Sequence, residues 1–200
     1  MFRTLRKFGM VAAAAMLAAG GTGAALAADA GSGKNARILI VYYSHSGNTK
    51  GIAERLQKKL GGVLHSVEPV EEYPAEYQAV LEKSRPQVEA GFKPELKGEL
   101  PDMGDFDLLL VGGPVWFGTL APPLSSFMAQ AKLEGKTIAP FCTFGGGIRN
   151  YFARFKEACP KDAMVLEGFG LGRADLAKDE AELDKLVGEW AAKLPKATAE

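Results

Sequence analysis

Apolar and polar residues alternate in two different ways along this chain, and each change of period predicts an element. Ile38-Leu39-Ile40-Val41 is apolar without a break, the pattern of a strand buried on both faces. After the polar stretch from Ser44 to Thr49, Ile52, Ala53, Leu56 and Leu60 fall at helical spacing and form one stripe. Gly61-Gly62 closes that helix, and Val63 to Val67 reads as a second strand. The run from Asp105 to Val111, halted by Gly112-Gly113-Pro114, reads as a central parallel strand. A helix is expected from Leu120 to Ala131, with Pro122 and Pro123 near its first turn and Leu124, Phe127, Met128 and Ala131 on one face. Lys136 to Thr143 gives a fourth strand and Met164 to Phe169 a short fifth. Between them, a helix from about Arg149 is expected to bury Phe152 and Phe155. Leu183, Leu186, Val187, Trp190, Ala191 and Leu194 stripe the last helix.

The segment 73–100 is less regular. It has helical character over 76–84, and Pro86 and Pro94 are expected to break it. The remaining order is strand then helix, five times over. That order predicts an α/β fold: a doubly wound, five-stranded parallel sheet. In such sheets ligands sit beyond the carboxyl ends of the strands. Three loops with unusual chemistry leave those ends: 44–49, 113–119 and 143–148.

Length adds one domain of ordinary size, with a start that does not belong to it. Arg3, Arg6 and Lys7 precede an alanine-rich apolar run from Met10 to Ala19, and Ala25-Leu26-Ala27 offers a small-x-small cleavage pattern. Residues 1–27 therefore read as a signal peptide, too short in its apolar run for a stable membrane anchor. Residues 28–36 read as a linker and 37–195 as the domain, exported and, in this reading, periplasmic. Without the leader's three basic residues, 21 basic residues face 24 acidic ones, a net charge of −3. That balance gives no case for a nucleic-acid partner. The two histidines, His45 and His65, and two cysteines make no metal-ligand pattern. A helix of about ten residues between Cys142 and Cys159 spans roughly 15 Å, so a disulfide between them is not expected.

The first loop carries three hydroxyls (Ser44, Ser46, Thr49), one glycine and no acid, between a buried strand and a helix. Such a junction aims unpaired N–H groups and the helix dipole at one point, which suits a phosphate. A Walker A loop is excluded, because Gly33-Lys34 is followed by Asn35 and lacks its leading glycine. A dinucleotide fingerprint is excluded by the single Gly47, and a tyrosine-phosphatase loop by the lack of a cysteine and an arginine. His45 and Lys50 adjoin the loop and could screen an anion. In the second loop, Pro114-Val115-Trp116-Phe117-Gly118 puts two large aromatics outside a strand. They either stack on a flat ring or pack on the core and the 73–100 segment. The third, Thr143-Phe144-Gly145-Gly146-Gly147, brings backbone without Cβ atoms to the same end.

Tyr42-Tyr43-Ser44-His45-Ser46-Gly47-Asn48-Thr49, Gly113-Pro114-Val115-Trp116 and Thr143-Phe144-Gly145-Gly146 together resemble the motifs of the flavodoxin-like family, over essentially the whole expected domain. The resemblance implies strand order 2-1-3-4-5 and non-covalently bound FMN. It places Ser44, His45, Ser46, Gly47, Asn48 and Thr49 around the phosphate. Pro114, Val115, Trp116, Phe117 and Gly118, with Thr143, Phe144, Gly145, Gly146 and Gly147, would flank the isoalloxazine. It further implies an oxidoreductase or electron-transfer protein, with NAD(P)H, a quinone or a redox protein as partner. Two departures stand out: Phe144 and three glycines replace the acidic-aromatic third loop of electron-carrier flavodoxins, and 73–100 is longer than their usual crossover, enough to cover part of the cofactor. The alternative is an exported binding module of the same fold without flavin catalysis. The residues single out no catalytic acid or base.

Overall fold

The computed structural model describes residues 37–195; the expected signal peptide and linker lie outside the described residues. The elements run β1 (Ile38–Tyr42), α1 (Asn48–Leu60), β2 (Val63–Ser66), α2 (Tyr77–Glu89), β3 (Leu108–Trp116), β4 (Thr119–Leu120), α3 (Pro122–Gln130) and β5 (Thr137–Phe144). They continue with α4 (Tyr151–Ala158), β6 (Met164–Val165), β7 (Phe169–Gly172), α5 (Arg173–Leu176) and α6 (Glu180–Ala191). The sheet order is β2-β1-β3-β5-β6, with β4 paired to β3 and β7 to β5. Every pairing is parallel except the β3–β4 hairpin. Leaving that hairpin aside, this is the expected doubly wound order.

The period of two in the strands explains the layers. Leu39, Val41, Leu109, Val111, Ile138 and Cys142 face the core shared with α3 and α4. Ile40, Leu108, Leu110, Ala139 and Phe141 face the core shared with α1 and α6. Both faces are covered, so the central strands read as continuous apolar runs. Gly112 is the exception that proves useful: a Cβ there would meet the Phe141 ring at 2.4 Å. α1 is also pinned to α6, where Arg55 reaches Asp184 at 2.6 Å and also pairs with Glu180.

Four expectations change. Pro86 does not end its helix; α2 runs through it to Glu89. Pro86 and Glu82 are both exposed, so the carbonyl that loses its donor lies on the solvent side of the helix. Pro114 does not stop β3: it lies in register with Thr143 of β5, and the strand continues to Trp116. The N–H of Tyr43 donates to the Gly112 carbonyl, so by alternation Pro114 turns its missing N–H to the side where β1 has ended. The loop 113–119 is thus a strand end and a two-residue hairpin, and the next helix starts at Pro122 rather than Leu120. The fifth strand is split in two and runs on to Gly172. The Leu166 N–H donates to the Ile138 carbonyl, so Pro140, two residues on, faces the same edge with no N–H to give. The break falls there. Finally, α4 begins at Tyr151, which is fully buried, while Phe152 is only half-buried beside the buried Phe155.

Candidate functional site

The three expected loops meet at the carboxyl ends of β1, β3 and β5, around an open cavity of about 1070 Å³. That is at the top of the range of about 300–1,000 Å³ for small-molecule sites. Thirteen of the sixteen sequence-derived residues line it: His45, Ser46, Asn48, Pro114, Val115, Trp116, Phe117, Gly118, Thr143, Phe144, Gly145, Gly146 and Gly147. Ser44, Gly47 and Thr49 are not part of its lining, and Gly47 is exposed to solvent.

Each of those three has a definite part. Gly47 caps α1 at φ 86°, the left-handed region, with open space where a Cβ would be. The glycine is therefore required by backbone conformation rather than by a close neighbour. No side chain caps α1, its first turn holds no acid, and the first N–H with a backbone acceptor is that of Gly51, on Gly47. The preceding N–H groups are left for an external acceptor. The Ser44 hydroxyl is buried and has no hydrogen-bond partner. Thr49 is 1% exposed, and its Oγ1 lies 2.8 Å from that of Thr143, so the first and third loops are tied by one hydroxyl pair. A hydroxyl in such a pair keeps one hydrogen or lone pair for a second partner.

The wall opposite is aromatic. Trp116 stands edge-on to Tyr73 at 4.9 Å, to Tyr43 at 5.8 Å and to the His45 ring at 6.1 Å. It lines the cavity and also packs on the 73–100 segment; the two readings of this residue are not exclusive. Burial pushes the Tyr43 phenol well above its usual range, with Tyr73 adding to the effect. Burial, with Glu71, raises Tyr73 to about 12. Both phenols stay neutral at ordinary pH, and Tyr73 donates to Gln87 at 2.6 Å. Phe117 and Gly118 turn the β3–β4 hairpin at φ 51° and 82°, the positive pair that a two-residue hairpin turn favours. The Arg85 guanidinium lies 4.6 Å from the Phe117 ring.

Sequence reasoning missed a set of lining residues. Tyr77, Val80, Leu81, Ser84 and Arg85 come from α2, which closes one side of the cavity as the length of 73–100 had hinted. Arg149, Arg173, Leu176 and Ala177 come from the segments after β5 and β7. Their signal was only positional: each follows a strand at its carboxyl end. A second, smaller cavity of about 450 Å³ shares Phe117, Gly118 and Arg149.

Burial raises the Cys142 thiol to about 12 and Cys159 to about 11, so neither is a ready nucleophile; both are free thiols. His65, on β2, is shifted down by burial and lies outside the cavity lining. Among the described residues no group of side chains could hold a metal, and no helix is long and apolar enough to cross a membrane.

Comparison with known proteins finds similar solved structures and a matching family model. The flavoprotein of Lactobacillus acidophilus NCFM, solved in complex with FMN, is 28% identical, covering 76% of this chain and 98% of its own, with a TM-score of 0.61. Its apo-form, solved by NMR, matches over 77% and 99% at a TM-score of 0.54. A flavodoxin from the domain Archaea, 18% identical over 78% and 97% at a TM-score of 0.52, shares the fold. The family model for flavodoxin matches residues 37–186, three quarters of the chain, and this chain belongs to the flavodoxin family.

Proposed function

We propose that this chain binds FMN non-covalently in the large cavity and works as an oxidoreductase or electron-transfer protein. One observation carries the reading: a buried, unpartnered Ser44 hydroxyl beside the uncapped N-terminus of α1. A buried donor without an acceptor costs about 1–3 kcal/mol, and a phosphate at this point would relieve it. The N–H groups of residues 45–49 and the hydroxyls of Ser46 and Thr49 complete the set of donors. Those donors are neutral and fixed, so they meet a dianion with little reorganisation. Trp116, Phe117 and Phe144 offer apolar surface for the ring, and the glycines after Phe144 leave room beside it.

When bound, FMN supplies the redox chemistry; the chain binds it, orients it and limits its contact with water. No residue is assigned an acid or base role. A quinone, NAD(P)H or a redox protein is the partner class, and export to the periplasm after cleavage near Ala27 completes the proposal. The cavity is large, about 1070 Å³, and α2 adds to it a wall beyond the three flavin loops. That favours a small-molecule partner over a pure electron shuttle.

The decisive experiment is purification followed by titration of the flavin-free protein with FMN and riboflavin. Purified protein is expected to be yellow or to turn so with FMN. Riboflavin lacks the phosphate, and losing two charge-assisted hydrogen bonds at about 1.5–3 kcal/mol each weakens binding about a hundredfold or more. Equal affinities would remove the phosphate site. A protein that takes up neither flavin would be the flavin-free binding module instead.

A further inference from the structure

Six arginines occur among residues 37–195, and they divide cleanly. Arg37 pairs with Asp105 and Asp107, Arg55 with Glu180 and Asp184, and Arg154 with Glu157. Arg85, Arg149 and Arg173 have no carboxylate partner among the described residues, and these are the three that line the large cavity. No aspartate or glutamate among the described residues lines it. A domain with a small excess of acid has thus gathered three unpaired guanidinium groups around its main opening.

Their contacts are with the second and third loops rather than with residues 44–49. Arg85 lies on the Phe117 ring at 4.6 Å. The side chain of Arg149 packs on Gly118, where a Cβ would meet its Cδ at 3.2 Å. Arg149 itself is held at φ 51°, a conformation that side chains other than glycine adopt at a cost. A guanidinium nitrogen of Arg173 lies 3.5 Å from the Cβ position of Gly145. The cations therefore stand on the hairpin turn and the glycine loop, which the FMN reading assigns to the ring, whereas the neutral donors stand at α1. A phosphate held at α1 does not need them. Planar guanidinium forks suit carboxylate and phosphate oxygens, and a charged rim around a low-dielectric cleft draws anions in.

We infer that the ring end of the cavity is a binding site for a second ligand, a small ring-bearing oxyanion (a carboxylate or a phosphate ester), recognised by Arg85, Arg149 and Arg173. The inference rests on the FMN reading for the position of the flavin, whose ring takes Trp116 and Phe117; the flavin face left open and the exposed Tyr77 ring on α2 set the preference for a ring. All three arginines are exposed, so replacing them leaves the core untouched.

The test uses 2-naphthoate and 2-naphthyl phosphate as anionic probes and 2-naphthamide as the neutral one, by equilibrium dialysis against the FMN-loaded protein. At low salt at least one anion is expected to bind about tenfold or more tighter than the amide, and the margin should shrink with added salt. The triple variant R85Q/R149Q/R173Q should lose the margin and keep the wild-type affinity for FMN. Equal binding of all three probes by wild type would overturn the inference, as would a margin that survives in the triple variant. Loss of FMN affinity in that variant would also overturn it, by giving the arginines to the flavin phosphate. If wild type takes up no FMN, the flavin reading fails separately, and the probe series on the flavin-free chain still decides whether the arginines form an oxyanion site.

Discussion

The two walls of the cavity are built on opposite plans. The 44–49 loop is fixed from behind: Tyr43 is bonded to Gly112, Thr49 is buried against Thr143, and Gly47 sets the turn. It exposes neutral donors at the end of a thirteen-residue helix. The facing wall is a two-residue hairpin turn and one side of α2, faced with aromatic rings and unpaired arginines. The first wall is an extension of the central sheet and can hold one invariant group, such as a phosphate, in one geometry. The second hangs from a short hairpin and a crossover, where ring packing and charge can be changed without disturbing the strands. Binding and selectivity are thus assigned to different parts of the fold.

The largest effect is expected from Trp116→Ala, because Trp116 belongs to both plans. Its ring is wedged among Tyr43, Tyr73 and His45, and it also lines the cavity. Truncating a buried Trp costs about 3–5 kcal/mol, and a half-buried one about 2 kcal/mol. Denaturant unfolding of the flavin-free variant should show this loss, and FMN titration a further weakening of up to about 1–3 kcal/mol if stacking is lost. Unchanged stability with weaker FMN binding would make Trp116 a pure stacking residue and the wall less rigid than described. Trp190, stacked on Phe169 in the other core, reports the fold independently by fluorescence.

Ser44→Ala separates the first wall from an ordinary turn, because its two effects have opposite signs. Without ligand, the variant removes a buried hydroxyl that has no partner. It should therefore be as stable as wild type or more so, by up to about 1 kcal/mol. With FMN, the same change removes a donor to a charged acceptor and should weaken binding by about tenfold or more. Destabilised apo-protein with unchanged FMN affinity would show that the hydroxyl serves the fold.

The first wall and the hairpin half of the second were legible in the sequence; the α2 side and the arginines were not, for physical reasons. Uninterrupted apolar runs mark buried parallel strands, and a hydroxyl-rich turn between such a strand and a striped helix has few other uses. Pro86 and Pro114 were misread because a proline is costly mainly where the group it leaves unpaired is buried or lies beside a neighbouring strand: Glu82 is exposed, and β1 has ended beside Pro114. That depends on which neighbour lies alongside, and the sequence does not state it. The fifth strand was drawn whole for the same reason, since its break answers to Pro140 on another strand. The arginines were invisible as a group. Arg55 and Arg149 look alike in the chain, and only the fold reveals that one is spent on Asp184 and Glu180 while the other faces a cavity. That Gly47 is required by its positive φ also became visible only in the fold.

The smallest expected effect concerns the hairpin turn itself. Phe117 sits at φ 51°, where asparagine or glycine is the usual occupant and a bulky side chain is strained by about 1 kcal/mol or more. Its ring recovers part of that through Arg85, since an exposed cation–π contact is worth about 0.5–1 kcal/mol. The two terms nearly cancel, so Phe117→Asn should leave the stability of the flavin-free protein within about 1 kcal/mol of wild type, on the favourable side if either. A residue kept at a strained position without gain to the fold points to a use in the cavity it lines. The same variant should therefore bind 2-naphthoate and FMN more weakly, having lost an aromatic surface and the support that holds Arg85 over it. Thermal melts of the flavin-free protein, paired with both titrations, check this. A variant that is clearly destabilised, with both affinities intact, would make the Phe117–Arg85 pair a clamp on the hairpin, and the aromatic wall would then be structural rather than selective.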